Sequence, residues 1–509
     1  MRAASRASGP DPNSAFAHVN DPSPVIELLS ATAIKADWNE APSDTTEGAF
    51  ALDLTNQPSP LKSYPGVPAR RLSRDLLPSS RGAVVTLSGN KAPQVPLDDV
   101  RLAAILFLGG GVTRGRRTPA GAPVWFRTSM SAGNLHPIEL YVVQDGVWHY
   151  DPLLHRLDLI RPADESVSNE GATVVVTGIP ARTCWKYAAR GFRHLFWDAG
   201  TMLANLLSAA DAYGVSSSVS LGFDDAEVGA LLGIEAPDEV PIALVALGAP
   251  EQRLDDRGLG PIARARPIAR TPIRLDGVTA ALRASCLAAA DVAPWREQLR
   301  RLSTSTARTT VPPHPFDDAS TEEVILRRGS SRRFRPTAVP RSLFDWALRT
   351  AMQPPELDVA VSGLHIGLLL HVHDVEEVES GVWSDSAELQ LISRRDTRSL
   401  REQSMRCCLG QDLGGDAGLT VFLTADLEHL FEQAGGRAYR VAAIEAGIVA
   451  GRLALCATAL GAGSTGLTFV DELVTAELRG LAFGVMACAL GTPAALPAPH
   501  GSPGAPHRL

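Results

Sequence analysis

The sequence predicts an α+β protein made of two tandem copies of one domain. Each copy carries a central, antiparallel-type sheet with surrounding helices, and the two fold together as an intramolecular pseudo-dimer. Three observations predict this. One ordered pattern of residues occurs twice, each occurrence joins a long apolar helix to short apolar strands, and 509 residues suffice for two hydrophobic cores.

The helices show the pattern first. Asp198-Ala-Gly200 opens T-M-L-A-N-L-L-S-A-A-D-A-Y and stops at Gly214; Glu445-Ala-Gly447 opens I-V-A-G-R-L-A-L-C-A-T-A-L and stops at Gly461. Both run acidic-Ala-Gly, thirteen residues, glycine. Being apolar almost all round, they should be buried, and packing on each other across a two-fold interface would bury both. A Ser/Thr/Gly-rich segment and a phenylalanine follow (Phe223, Phe469), then an acidic helix start (Asp224-Asp225, Asp471-Glu472) that suits the helix dipole. Each copy closes in an apolar strand ending Leu-Gly, at Gly248 and Gly491, and G-V-W at 146–148 is echoed at 381–383. Two units this long imply a fused dimer, because solenoids need three or more short repeats.

The expected organisation is an accessory or disordered segment at 1–60, a first domain at 61–250, a linker at 251–317, a second domain at 318–495 and a Pro-rich tail at 496–509. A formal charge of −8 argues against a general nucleic-acid binder. The six cysteines show no CxxC pair and no metal-finger spacing, and read as free thiols. The N-terminus lacks an apolar signal-peptide core, and apolar runs are interrupted before membrane-spanning length, so the expectation is a cytoplasmic protein without membrane or metal.

Three motifs carry chemistry. In Arg328-Gly-Ser330-Ser-Arg332-Arg-Phe334, alternate Arg, Ser and Arg on an extended or early-helical segment can converge on one phosphate. Taken alone, such a cluster is more often a solvated helix start. In W-F-R-T-S-M-S-A-G-N-L-H-P-I-E-L-Y-V-V, residues 125–143, Thr128, Ser129, Ser131 and Asn134 offer hydrogen-bonding groups on a tight turn before a strand. That turn can lie along the edge of a planar heterocycle, or simply be a polar turn. Lys186 and Tyr187, in W-K-Y-A-A-R-G, read as an acid/base couple, with partial burial expected to lower the lysine pKa; the alternative is one snorkelling lysine on an amphipathic helix.

Together, R-x-S-x-R-x-F, S-A-G-x-L-H-P-x-E-L-Y and W-K-Y-x-x-R-G before a long Ala/Gly helix resemble the FMN-dependent nitroreductase superfamily. Within it they are most similar to the SagB-type branch, the azoline dehydrogenases of thiazole/oxazole-modified peptide biosynthesis, whose lead-in L-K-S-Y-P-G at 61–66 also resembles. The resemblance covers roughly 60–250 and 318–495. It implies a dimer-like fold with FMN at the interface: Arg328, Ser330 and Arg332 on the phosphate, Ser129, Ser131 and Asn134 against the ring, and the late region at Gly466 and Leu467 nearby. It also implies that Lys186 and Tyr187 help remove the azoline Cα proton while hydride passes to flavin N5. The implied partners are a peptide substrate and a cyclodehydratase complex. A reductase using NAD(P)H and a non-catalytic binding scaffold are the rival readings.

The copies depart from the pattern in complementary ways. The first lacks the second clamp arginine, reading S-S-R-G-A-V-V-T around Arg81; the second lacks the serine loop, reading D-V-A-V-S-G-L-H-I-G, and has no Lys-Tyr. One composite site is therefore intact and the other broken, and the expectation is one FMN per chain. Met130 stands where the family usually has proline before S-A-G.

Overall fold

In the computed structural model the repeated sequence pattern becomes a repeated sheet; residues 21–37, 52–79, 81–89, 91–119, 121–163, 171–249, 259–303, 319–361, 363–385, 389–480 and 482–509 are described. The strands of the first half are β1 (Ala69–Arg71), β2 (Val112–Arg117), β3 (Pro123–Arg127), β4 (Ile138–Val143), β5 (Gly146–Asp151), β6 (Arg156–Pro162), β7 (Ala172–Gly178), β8 (Ser217–Ser220) and β9 (Val240–Leu247). The second half supplies β10 (Phe334–Arg335), β11 (Gly367–Val372), β12 (Gly381–Asp385), β13 (Leu389–Arg394), β14 (Leu419–Ala425), β15 (Gly463–Leu467), β16 (Phe483–Pro493) and β17 (His507–Arg508).

The order β6-β5-β4-β7-β9-β8 in one sheet is matched by β13-β12-β11-β14-β16-β15 in the other, with every pairing antiparallel. Strands β4, β7 and β9 are buried nearly throughout, which is why they read as continuous apolar runs. The echoed G-V-W has a shared cause. Gly146 and Gly381 both take positive φ, at 135° and 159°, where their strands press on a neighbouring strand's carbonyl.

The long helices, Gly191–Ala212 and Arg437–Ala459, pack on each other at the centre. Small residues permit the approach: a Cβ on Gly200 would stand 2.6 Å from Gly447 Cα, and one on Gly451 would stand 2.6 Å from Ala204 Cβ. Both helices begin before the acidic-Ala-Gly triplets, because buried residues such as Phe192, Phe196, Arg437 and Arg440 extend them N-terminally. Asp198 and Glu445 therefore lie within the helices and do not cap them. Contrary to the sequence expectation, Arg437–Ala459 is long and apolar enough to cross a membrane, and its burial between the halves accounts for that apolarity.

Three segments expected to be peripheral are built into the fold. Residues 1–20, expected to be disordered, lie outside the described residues, but helix Ser23–Ala31 buries Val25 and Leu28 and packs on helix Asp276–Ala284. The stretch read as a linker carries that helix and a second, Ala289–Leu302. Val278, Ala281, Leu282, Trp295 and Leu299 bury at helical spacing, a signal outweighed in the sequence by the Pro/Gly density just before it. The Pro-rich tail ends in β17, which pairs in parallel with β2 and completes a three-stranded sheet with β3.

Candidate functional site

The arginine-rich segment leaves a helix C-terminus. Helix Thr321–Arg327, opened by a capping box of Ser320 and Glu323, ends at Arg328, and the chain then runs extended towards β10. Ser330 bridges Ser464 of β15, and Ser331 N donates to Ser464 O at 2.8 Å. Arg328 is buried and its Nη2 donates to the carbonyl of Thr128 at 2.8 Å, two hundred residues earlier. That bond joins the clamp of one half to the serine loop of the other.

The loop is held from beneath. Ser131 Oγ donates to Asp198 at 2.7 Å, Ala132 N donates to the same carboxylate at 3.0 Å, and Thr201 Oγ1 donates to Met130 O at 2.9 Å. Asn134 Nδ2 and His136 Nε2 both reach Trp125 O, and His136 N donates to Ser131 Oγ. Gly133, Asn134 and His136 all take positive φ, backbone that these side-chain anchors must hold in place. Glu445 anchors the second half similarly, accepting from His365 N at 2.7 Å.

A cavity of about 560 Å³ lies between clamp and loop. Phe126, Arg127, Ser129–Ser131 and Asn134 line one side, Arg328 to Arg333 another, and Arg114 with tail residues Ala494–Ala498 and Leu509 the rest; Arg127 lies 3.9 Å from the Glu139 carboxylate. Among the described residues no aspartate or glutamate lines it. Burial, with Arg114 close by, brings Arg328 down to about 10; burial also lowers Arg114. Arg114 Nε, Arg328 Nε and Ser464 Oγ are buried without a hydrogen-bond partner. Buried cations and donors left unmatched by protein are what an anionic ligand with several acceptors would satisfy.

The predicted residues are distributed unevenly. Ser330, Arg332, Ser129, Ser131 and Asn134 share the cavity with Arg328, although Ser131 and Asn134 already spend hydrogen bonds on holding the loop. Gly466 and Leu467 pair with β16, beyond the residues lining the cavity. Lys186 and Tyr187 end helix Pro180–Tyr187 and abut the loop: a Cβ on Gly133 would stand 2.6 Å from Tyr187 Oη and 3.0 Å from Lys186 Nζ. Lys186 is exposed, not partly buried as expected. Burial, then the Asp198 carboxylate, pushes Tyr187 up to about 12, so it remains a proton donor at neutral pH. Its ring lies 4.2 Å from that of His194, which burial and then Arg190 hold down to about 3 and therefore neutral.

Two residues escaped the sequence reading. Arg114 sits in V-T-R-G-R-R, a strand with no motif around it, and Asp198 looked like a helix start. Asp198 is fully enclosed, and burial pushes its carboxyl up to about 7 against the pull of its Ser131 and Ala132 donors.

The family described as "Nitroreductase family" matches residues 96–249 and 325–492, together well over half the chain. This chain belongs to the nitroreductase family. Members are generally flavin-dependent oxidoreductases, and the duplicated match coincides with the duplicated sheet. A nitroreductase-named protein of Methanocaldococcus jannaschii is 31% identical over 175 residues, covering 30% of this chain and 81% of its own length. The crystal structure of a candidate nitroreductase from Anabaena variabilis superposes with a TM-score of 0.70 at 23% identity, over 92% of this chain and 99% of that one. That nitroreductase likeness establishes the fold over both halves.

Proposed function

We propose that the protein is an FMN-dependent dehydrogenase that oxidises azoline rings of a peptide to azoles, using one FMN per chain held at the junction of its halves. The observation that carries the FMN reading is the arginine cavity without a carboxylate, shared between the two halves. Arg328, Arg332 and Ser330 would hold the phosphate, whose roughly two negative charges the guanidinium forks match. Ser129 and the Ser131–Asn134 turn would hold the ring edge. When bound, FMN supplies the two-electron redox chemistry that no side chain provides.

The choice of azoline substrate rests on the Lys-Tyr pair. Converting an azoline to an azole removes a proton and a hydride from the ring. In this reading Lys186 would take the proton, although its exposure at the helix end removes the burial on which the sequence reading relied, and Tyr187, protonated at neutral pH, would donate a hydrogen bond beside it. Asp198 holds the loop that both residues touch.

The test begins with purified full-length protein and flavin absorbance. A colourless protein that FMN cannot load refutes the cofactor. With flavin bound, thiazoline- and oxazoline-containing peptides are assayed for azole formation under dioxygen. Rapid bleaching by NAD(P)H without azole formation would instead make the protein a reductase.

A further inference from the structure

We propose that Arg114 is a third arginine of the phosphate site, supplied by the first half of the chain and directed at the anion that Arg328 and Arg332 receive from the second half. The inference rests on the FMN reading above and adds to it a residue outside the R-x-S-x-R motif.

Arg114 lies on β2 with only 8% of its surface exposed, and it lines the cavity beside Arg328. Its Nη1 donates to Ala498 O at 3.0 Å, while its Nε is buried and has no partner. Among the described residues neither Arg114 nor Arg328 makes an ion pair. Two enclosed guanidinium groups with no carboxylate repel each other, and each recovers only part of its lost hydration, through the carbonyls of Ala498 and Thr128. A dianion between them reverses both penalties and fills the open donor positions.

The C-terminal tail aims the side chain. His507 is the register partner of Arg114, Gly501 N donates to Thr113 O, and Leu509 N donates to Gly115 O. The backbone on either side of Arg114 is thus clamped by the same segment whose Ala498 carbonyl receives its guanidinium. A phosphate bound here would be gripped by both halves and enclosed by the tail.

A purely structural role, fastening the tail through Ala498, makes a different prediction. Arg114→Gln removes the charge and, being shorter, also gives up the Nη1 bond to Ala498 O, so the two roles are separated by the flavin used: a lost charge bears on the phosphate alone, a loosened tail on both flavins. Flavin-stripped full-length protein and the variant are titrated with FMN and with riboflavin, following flavin fluorescence, and their unfolding temperatures are measured without flavin. The expected result is an FMN Kd raised about tenfold or more, the range of a lost charge-assisted hydrogen bond. Riboflavin, which lacks the phosphate, should bind both proteins alike, and the flavin-free variant should still unfold in one cooperative step.

Equal FMN affinity in the two folded proteins overturns the Arg114 role and leaves the FMN reading standing. So does an equal loss for FMN and riboflavin, which marks a structural role. Wild-type protein that binds neither flavin overturns the FMN reading itself. If Arg114→Gln does not fold, Arg114→Lys carries the test: a point charge in place of the fork should weaken FMN and spare riboflavin, and an unchanged FMN Kd again overturns the role.

Discussion

The halves meet around two cavities that the repeat relates, and the two differ in charge. One is lined by Arg114, Arg328, Arg332 and Arg333 with no carboxylate among the described residues. The other, about 480 Å³, is walled by Thr86–Gly89, Lys91, Gln353–Leu357 and Arg452, and it includes Asp211 and Glu356. Ser217 of β8 lines the second where Ser464 of β15 stands beside the first. In the second, Arg452 spans the walls by itself, donating to Gln353 O and, at 3.0 Å, to Leu87 O. Lys91 lies 4.0 Å from Glu356. Duplication preserved the space in both places, but only one retains cations that the protein does not neutralise. Shape alone does not make an anion site; uncompensated charge does.

The comparison can be broken or sharpened by five measurements. The largest effect is expected at the dyad. Lys186→Ala or Tyr187→Phe should lower kcat for azole formation by about 10²–10⁴-fold, the usual worth of general acid–base groups, while bound flavin, read by absorbance, stays constant. Retained activity would move the chemistry elsewhere. Next, Arg328→Ala should weaken FMN about 10–100-fold in a fluorescence titration, through lost charge-assisted bonds. It also frees Thr128 O, so riboflavin binding should fall a little.

Gly133→Ala forces a methyl group against Tyr187 Oη at a position with φ of 59°. A kcat loss of about tenfold is expected from the displaced Lys186–Tyr187 pair, with FMN and riboflavin both bound somewhat more weakly because the turn proposed to hold the ring shifts. Asp198 gives a pH effect. Its carboxyl is raised in the folded state from 3.8 to about 7, so the folded protein favours the protonated form. Its contribution to stability is therefore full below about pH 4, falls as pH rises to 7, and is level above. Urea melts across that range should show the decline, and Asp198→Asn should flatten it. The smallest effect belongs to the second cavity: Lys91→Ala should leave flavin stoichiometry near one per chain. A wild-type stoichiometry of two would erase the distinction between the cavities.

Much of the fold could be read from the chain because it depends on local periodicity stated twice. The paired helices and the echoed G-V-W followed from spacing; the close contacts of Gly200 with Gly447 and of Gly451 with Ala204 came from the structure. The helices at Asp276–Ala284 and Ala289–Leu302 were obscured by the Pro/Gly-rich stretch before them. The candidate cavity was legible wherever its lining lies within a contiguous motif, as in Arg328–Arg332 and Ser129–Asn134. The exposure of Lys186 was not, since burial at a helix end depends on what packs over it.

By itself, the sequence determined the duplication and the motifs, and from them came the expectation of one intact and one broken site. Tertiary structure decided how these are used. Arg328 meets Thr128 across two hundred positions, Asp198 supports a loop 66 residues before it, and the tail reaches 384 residues back to Arg114. Such contacts leave no period or spacing in the chain. They arise because two sheets close on a shared pair of helices, and only that closure brings isolated arginines, a buried carboxylate and the last residues of the protein to one place.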